Sequence, residues 1–337
     1  MKKPLKIVLW VMGLILAILL GFYIAFQVSP KPGVWLIASA FNGKVEIQDT
    51  TAYNRAKGKV HIINNISYDS KHKMNGLDIY YPKGKTQLPV LFWVHGGGFI
   101  GGNNQGVNEF ATYIAAESNM AVILVDYEKV PDLHYPGQTK QLAEAINYMI
   151  GSADDYPMFD FSRIGIGGDS AGAQIAAQFI LTQTDPAYAN LLEMVQMLEP
   201  NTIKAYISYC GPINMKQALE NKVDSRFLKF FVSTVGWSWF GRKDWHDLPE
   251  LQEASIAEHL TADFPPSFLT DGNTGSFADQ AIRFNERLQQ LDVPTVTLFF
   301  ENDEKEVNHE YQFLYNTPEA QECLKLTLGF LDEYLAY

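Results

Sequence analysis

One stretch decides most of what this chain can fold into: Arg163-Ile-Gly-Ile-Gly-Gly-Asp-Ser-Ala-Gly-Ala-Gln-Ile-Ala-Ala-Gln178. Arg163 to Gly167 reads as a short buried strand. Ala171 to Leu181 reads as a helix with small residues on the face that presses against a sheet. Between them, Gly168-Asp-Ser-Ala-Gly172 is a G-x-S-x-G motif. A strand that turns sharply into a helix through one serine holds that serine in a strained conformation at the sheet's edge. The flanking positions need glycine, because a Cβ there would collide with the neighbouring strand or helix. The helix N-terminus behind Ser170 offers free N–H groups and a positive dipole end to a developing negative charge. A serine in any glycine-rich turn satisfies the bare motif; the strand before and the helix after make this one a nucleophile elbow.

A second glycine motif, His95-Gly-Gly-Gly-Phe99, follows the apolar strand Pro89–His95 directly. When a carbonyl becomes tetrahedral its oxygen turns negative, and fixed backbone N–H groups stabilise it. Glycines let the main chain approach closely and aim those groups inward. Gly97 and Gly98 are the expected donors, with the Ala171 N–H as a third. His95 is expected to hold this loop in shape. Alone the loop could be mere flexible backbone. Upstream of an elbow, with both motifs at strand ends, it points to an oxyanion hole.

A serine nucleophile needs a base. Of the seven histidines (61, 72, 95, 134, 246, 259 and 309), only His309 follows the last strand. That is where the order serine, acid, histidine places the base. The other five, apart from His95, read as surface or cap residues.

The rest of the chain supplies the frame. Val60–Tyr68 and Leu77–Pro82 alternate apolar and polar like antiparallel strands near an edge. Ala121–Tyr127, Ile203–Cys210, Pro266–Thr270 and Val296–Phe300 are further strands. Gln138–Ile150, Phe277–Leu291 and Glu319–Tyr334 are helices. This alternation predicts an α/β fold with a mostly parallel, doubly wound sheet. Gly211–Phe264 breaks it with a long aromatic-rich span (Phe227, Phe230, Phe231, Trp237, Trp239, Phe240 and Trp245). Aromatics at helical spacing usually pack a core, so this span reads as a small cap, about 212–264, with some rings free to line a substrate pocket.

At the N-terminus, lysines 2, 3 and 6 precede the uncharged run Ile7–Phe26, which is long enough to cross a bilayer. The run is longer than a usual leader core. Ala38-Ser39-Ala40 resembles a cleavage site but lies too far beyond it. The expectation is an uncleaved single-pass anchor with linker, residues 1–33, a cytoplasmic N-terminus and residues 34–337 as an extracytoplasmic domain. Ser29-Pro-Lys-Pro-Gly33 reads as the breaker, and Val34–Phe41 as a helix on the domain edge.

With 337 residues, 47% of them hydrophobic, the chain can bury one large core with a cap. A net charge of −12 without a basic patch argues against nucleic acid. Cys210 and Cys323 read as two buried thiols, and no Cys/His spacing suggests a metal site.

From Val60 onward the chain resembles the α/β-hydrolase esterases of the hormone-sensitive-lipase-like group and its acetyl-esterase and formamidase relatives. The residues that carry the resemblance are His95-Gly-Gly-Gly-Phe99, Val125-Asp-Tyr127 with Pro131 and Pro136, Gly168-Asp-Ser-Ala-Gly172, and His309. The resemblance implies a small helical cap, a small-molecule ester substrate of short acyl chain, a serine triad, and neither cofactor nor metal. It departs at the acid. Relatives carry G-x-x-D after the penultimate parallel strand and then a second carboxylate; here the first position holds Gly275. Asp271 at the strand's end is the expected acid, with Asp279, Glu301 and Asp303 as alternatives. An amidase or formamidase would use the same acyl-enzyme path. A non-catalytic binding module is the reading from another class, supported only by the altered acid motif.

Overall fold

The uncharged N-terminal run forms one uninterrupted helix, α1 (Lys3–Val28), whose apolar window is not buried against the protein at all. The computed structural model describes residues 3–41, 43, 46–220, 226–300 and 305–336. Within it α2 (Lys31–Phe41) begins two residues after α1 ends. The breaker is therefore shorter than expected. Only Ser29 and Pro30 interrupt the helices, because Pro32 falls in the first turn of α2, where no intrahelical N–H is required.

Eight strands form a single sheet in the order β1-β2-β4-β3-β5-β6-β7-β8 among the described residues. They are β1 (Val60–Ser67), β2 (Gly76–Pro82), β3 (Leu88–Val94), β4 (Ala121–Val125), β5 (Phe159–Asp169), β6 (Ile203–Tyr209), β7 (Ser267–Thr270) and β8 (Thr295–Leu298). β1 with β2 and β2 with β4 are antiparallel; every other pair is parallel. The elbow strand is longer than Arg163–Gly167, since pairing with both β3 and β6 carries it to Asp169.

The central strands are buried on both faces, and their alternation feeds two cores. Val90, Phe92 and Val94 of β3 enter one, while Leu91 and Trp93 enter the other. The first core is covered by α5 (Gly137–Gly151), α6 (Ala171–Thr184) and α11 (Ala278–Gln290). The second is covered by α3 (Thr50–Lys57), α4 (Asn108–Glu117) and α12 (Pro318–Tyr334). Both cysteines are buried free thiols.

The short α7 (Pro186–Leu191) follows α6, and between β6 and β7 lie α8 (Met215–Glu220), α9 (Arg226–Phe240) and α10 (Pro249–Glu253). Trp239 and Trp245 are fully buried in the first core, and Gly236 of α9 leaves room for the Trp245 ring, which a Cβ would meet at 2.1 Å. Trp239 stacks on Phe99 at 4.1 Å and 13°. Val34 and Ile37 of α2 belong to the same core, and α2 is packed onto α9.

Candidate active site

Ser170 sits between β5 and α6 with φ 47° and ψ −118°, a region that non-glycine residues rarely occupy. Its N–H is held by Tyr209 O at 2.8 Å. The glycines explain how the turn can be this tight. A Cβ on Gly172 would lie 1.9 Å from Val94 O, and one on Gly168 would lie 2.5 Å from the same oxygen. Helix α6 therefore rests almost directly on the end of β3, and Ser170 projects from the sheet's C-terminal edge.

His309 Nε2 lies 3.1 Å from Ser170 Oγ. On the other side of the ring, Nδ1 lies 3.5 Å from Oδ1 of the buried Asp271. The network implies a neutral ring protonated on Nδ1, with Nε2 accepting from the serine hydroxyl. Burial alone would lower the His309 pKa. The Asp271 carboxylate, then Glu310 and Asp169, outweigh it and raise the ring above its ordinary value. The Phe277 ring packs edge-on against the imidazole at 5.4 Å.

The turn after β7 brings acid and histidine together. Asp271 Oδ1 accepts the Gly272 N–H at 2.8 Å, and Oδ2 accepts that of Phe277 at 2.7 Å. Asn273 staples the turn to the histidine segment: its backbone N–H donates to Val307 O, and its Oδ1 accepts the Val307 N–H at 2.9 Å. His309 N–H returns to Thr274 O at 3.0 Å. Gly272 is required here, because a Cβ would meet Val307 O at 2.1 Å. Asp279 is exposed in the first turn of α11 and forms no ion pair with His309. Glu301 and Asp303 lie outside the described residues.

Gly97 (φ 110°) and Gly98 (φ 61°) make the loop after β3 with backbone that favours glycine. The N–H groups of Gly97, Gly98 and Ala171 donate to no group among the described residues. His95 is buried below the loop, with Nδ1 2.7 Å from Gly96 O, so it donates there. Its Nε2 faces Lys129 Nζ at 2.9 Å and Asp126 Oδ1 at 3.0 Å, and its ring stacks on Tyr127. Burial, then the Lys129 ammonium, lowers the His95 pKa, so the ring is neutral and Nε2 accepts from Lys129. Asp126 is raised by burial but more than compensated by His95 and Lys129, which hold it well below the usual carboxylate range. His95 thus anchors the loop's carbonyl and stands apart from Ser170.

Sequence reasoning missed a carboxyl pair beneath this loop. Asp169 accepts from Trp93 Nε1 at 2.8 Å and from the Gly96 N–H at 2.7 Å. A Cβ on Gly96 would lie 2.5 Å from Asp169 Oδ2 and 3.1 Å from Glu310 Oε1, so both acids press on one glycine. Burial, then the Glu310 carboxylate, pushes Asp169 up to about 7. Burial likewise raises Glu310. The signal available was Asp169 itself, the variable residue of G-x-S-x-G, on a strand too buried for an unpartnered acid. Cys210 lies within ligand reach of Asp271 and His309. Burial holds it well above the ordinary thiol range, so it meets them as a neutral thiol.

A cavity of about 390 Å³ opens beside His309, Gly96 and Gly97, and Phe41 at the end of α2 forms part of its wall. Among the aromatics of the cap span, Phe231 lies against the loop, with its ring 3.0 Å from where a Gly98 Cβ would stand.

Comparison with known proteins agrees with this architecture. Residues 77–288 match the BD-FAE family, which is more than half of the chain. Over 228 residues the chain is 28% identical to a protein named as an alpha/beta hydrolase from Acanthamoeba polyphaga mimivirus, spanning 64% of this chain and 60% of that one. It is 27% identical to esterase LipI of Mycobacterium tuberculosis over 65% of this chain and 66% of the relative. These matches span less than two thirds of the relatives' own length. Among solved structures, esterase B from Lactobacillus rhamnosis superposes with a TM-score of 0.68 at 19% identity, over 89% of this chain and 95% of that one. The fold, the two glycine motifs and the family match converge: the chain belongs to the BD-FAE family, among the α/β-hydrolase esterases that its motifs resemble.

Proposed function

We propose that this protein is a serine carboxylesterase for short-chain acyl esters. The observation that carries the reading is the line Ser170–His309–Asp271, with His309 Nε2 at 3.1 Å from Ser170 Oγ beside three N–H groups that donate to no group among the described residues. Ser170 Oγ attacks the ester carbonyl while His309 Nε2 takes its proton. The carbonyl oxygen becomes an oxyanion held by the N–H groups of Gly97, Gly98 and Ala171. The C–O bond to the alcohol then breaks, and the alcohol leaves with the proton from His309. Water gives a proton to the same nitrogen and attacks the acyl-enzyme, releasing the carboxylic acid and restoring the serine hydroxyl. Asp271 fixes the ring and stabilises its cationic form.

The domain plan that accompanies this reading is an anchor over residues 1–33 and a hydrolase domain over 34–337 with a cap about 212–264. The uncleaved anchor is favoured because Ala38-Ser39-Ala40 lies within α2, a helix whose Val34 and Ile37 are buried in the domain core. A cleaved leader would have to abandon that packing.

The test is hydrolysis of p-nitrophenyl esters from acetate to decanoate by the full-length protein. Turnover that is highest on acetate and butyrate, and absent in Ser170→Ala, supports the reading. Equal turnover by Ser170→Ala, or none by the wild type across the series, overturns it.

A further inference from the structure

The anchor helix and the site meet through a continuous run of contacts. Phe26, near the end of α1, touches Phe230 of α9 at 6.5 Å, and Lys243 Nζ donates to the backbone and side-chain oxygens of Gln27. Helix α2 then lies along α9. Gly33 sits against Thr234, Val34 and Ile37 are buried, and Phe41 meets Phe231 at 6.1 Å. Phe231 lies against Gly98, and Phe41 lines the cavity beside His309.

The opposite face of α2 points away from the protein. Trp35 is 73% exposed and Leu36 is 46% exposed, with Lys31 beside them. The N-terminal half of α9, the helix that α2 lies along, carries Phe227, 69% exposed, between the exposed Arg226 and Lys229. Aromatic and aliphatic side chains interleaved with Lys and Arg match the chemistry of the headgroup layer, where rings sit at the acyl boundary and cations meet phosphates. In a chain of net charge −12, this is basic surface where the protein as a whole is acidic. Two residues separate α1 from α2, a reach of about 7 Å. If α1 spans a bilayer, this face is held at its surface.

We propose that α2 and the start of α9 form a platform seated on the lipid bilayer, and that the substrate is a short-acyl ester of an amphiphilic alcohol held in that bilayer. The proposal rests on the anchored-esterase reading above. The alcohol is assigned to the membrane side because it leaves with the proton of His309. The cavity beside His309 is walled by Phe41, the last residue of the seated helix. The alcohol of a bilayer-borne ester is thereby assigned to the side of His309 that shares this cavity with the end of α2.

The test uses full-length protein in phosphatidylcholine vesicles containing phosphatidylglycerol. Nitroxides are placed at Ile15→Cys, Trp35→Cys and the exposed Val195→Cys; the two native thiols are buried and do not compete. The platform predicts position 15 in the hydrocarbon, position 35 at headgroup depth and position 195 in water, by collision with oxygen against a water-soluble nickel chelate. Position 35 as open to the chelate as position 195, with position 15 immersed, overturns the platform and leaves the anchor standing. Position 15 in water overturns the anchor and the platform with it. Spin–spin broadening at position 35 that grows with protein-to-lipid ratio identifies a second copy as the occupant and also overturns the proposal.

The catalytic arm compares hexadecyl acetate in those vesicles with p-nitrophenyl acetate in water. Replacing both Trp35 and Leu36 with serine should lower turnover of the first by about tenfold and leave the second within about twofold. Equal loss on both substrates, or wild-type hydrolysis of the soluble ester alone, overturns the substrate assignment. No hydrolysis of either ester counts against the esterase reading itself.

Discussion

Asp271 Oδ1 stands 3.5 Å from His309 Nδ1, while both oxygens of that carboxylate already accept backbone N–H groups, from Gly272 at 2.8 Å and Phe277 at 2.7 Å. The separation is longer than a full hydrogen bond. The turn therefore orients Asp271, and the carboxylate presents a fixed negative field to the imidazole. Contacts of this kind commonly shorten when substrate binds. Asp271 thus faces the histidine from the strand end itself, and Gly275 of the same turn offers no carboxylate in its place.

Asp271→Asn should lower kcat by about 10³ to 10⁴-fold with little change in KM, since an amide cannot stabilise the ring's cation. Asp279→Asn should stay within about twofold of wild type. Circular dichroism checks that the Asp271 variant, which loses one acceptor for the turn, remains folded. The reverse pattern would assign the acid to Asp279.

How much of this was legible beforehand depended on where each signal lies. The elbow and the glycine loop carry their conformation in local sequence, because only glycine tolerates the Val94 approach at Gly172 or the positive φ at Gly97. The apolar runs of β3 and β4 declared strands buried on both faces of a mostly parallel sheet, while the order of the strands came only with the structure. The Asp169–Glu310 pair was not legible. It joins residues 141 positions apart through a glycine that belongs to neither, and no local pattern encodes that meeting. The same holds for Lys129, whose ammonium reaches back to His95 across the sheet's edge. The short break at Ser29-Pro30 was missed because Pro32 and Gly33 read as breakers, whereas a helix's first turn accepts both.

The pH profile follows from the sign of the His309 shift. The ring must be neutral to take the serine proton, and its pKa is raised above 6.5. The acid limb of kcat/KM should therefore lie above pH 6.5, with activity lost as pH falls through it. Asp271→Asn should move the limb down. Glu310→Gln should move it down by less, because Glu310 acts on the ring after Asp271. Initial rates on p-nitrophenyl acetate from about pH 5 to 9 read both shifts. A limb at or below pH 6.5 in the wild type would contradict the electrostatics described here.

Glycine substitutions should separate stability from catalysis. Gly172→Ala places a Cβ 1.9 Å from Val94 O, a clash with backbone that cannot rotate away. It should cost about 1–3 kcal/mol or more in denaturant unfolding. Gly98→Ala meets the Phe231 ring at 3.0 Å and a φ of 61°. It should fold and lose about 10²-fold in kcat through a displaced oxyanion donor. A Gly98→Ala enzyme with unchanged kcat would remove that N–H from the mechanism.

Topology has its own readout. The anchored arrangement proposed above, with lysines 2, 3 and 6 ahead of the apolar span, predicts a cytoplasmic N-terminus, so protease added to spheroplasts should digest the domain. Protection of the domain, or a mature protein that begins near Phe41, would contradict the anchored arrangement.

The most direct measurement of the central claim is the site of covalent capture. A serine activated by its base attacks the phosphorus of a fluorophosphonate, expels fluoride and keeps the phosphonyl group on Oγ. Incubated with the full-length protein, it should add one label, and peptide mass spectrometry should place that label on Ser170. Ser170→Ala should remain unlabelled, and His309→Ala should label far more slowly. Labelling of the wild type at another residue, or none while the protein still hydrolyses p-nitrophenyl acetate, would contradict a mechanism that begins at Ser170.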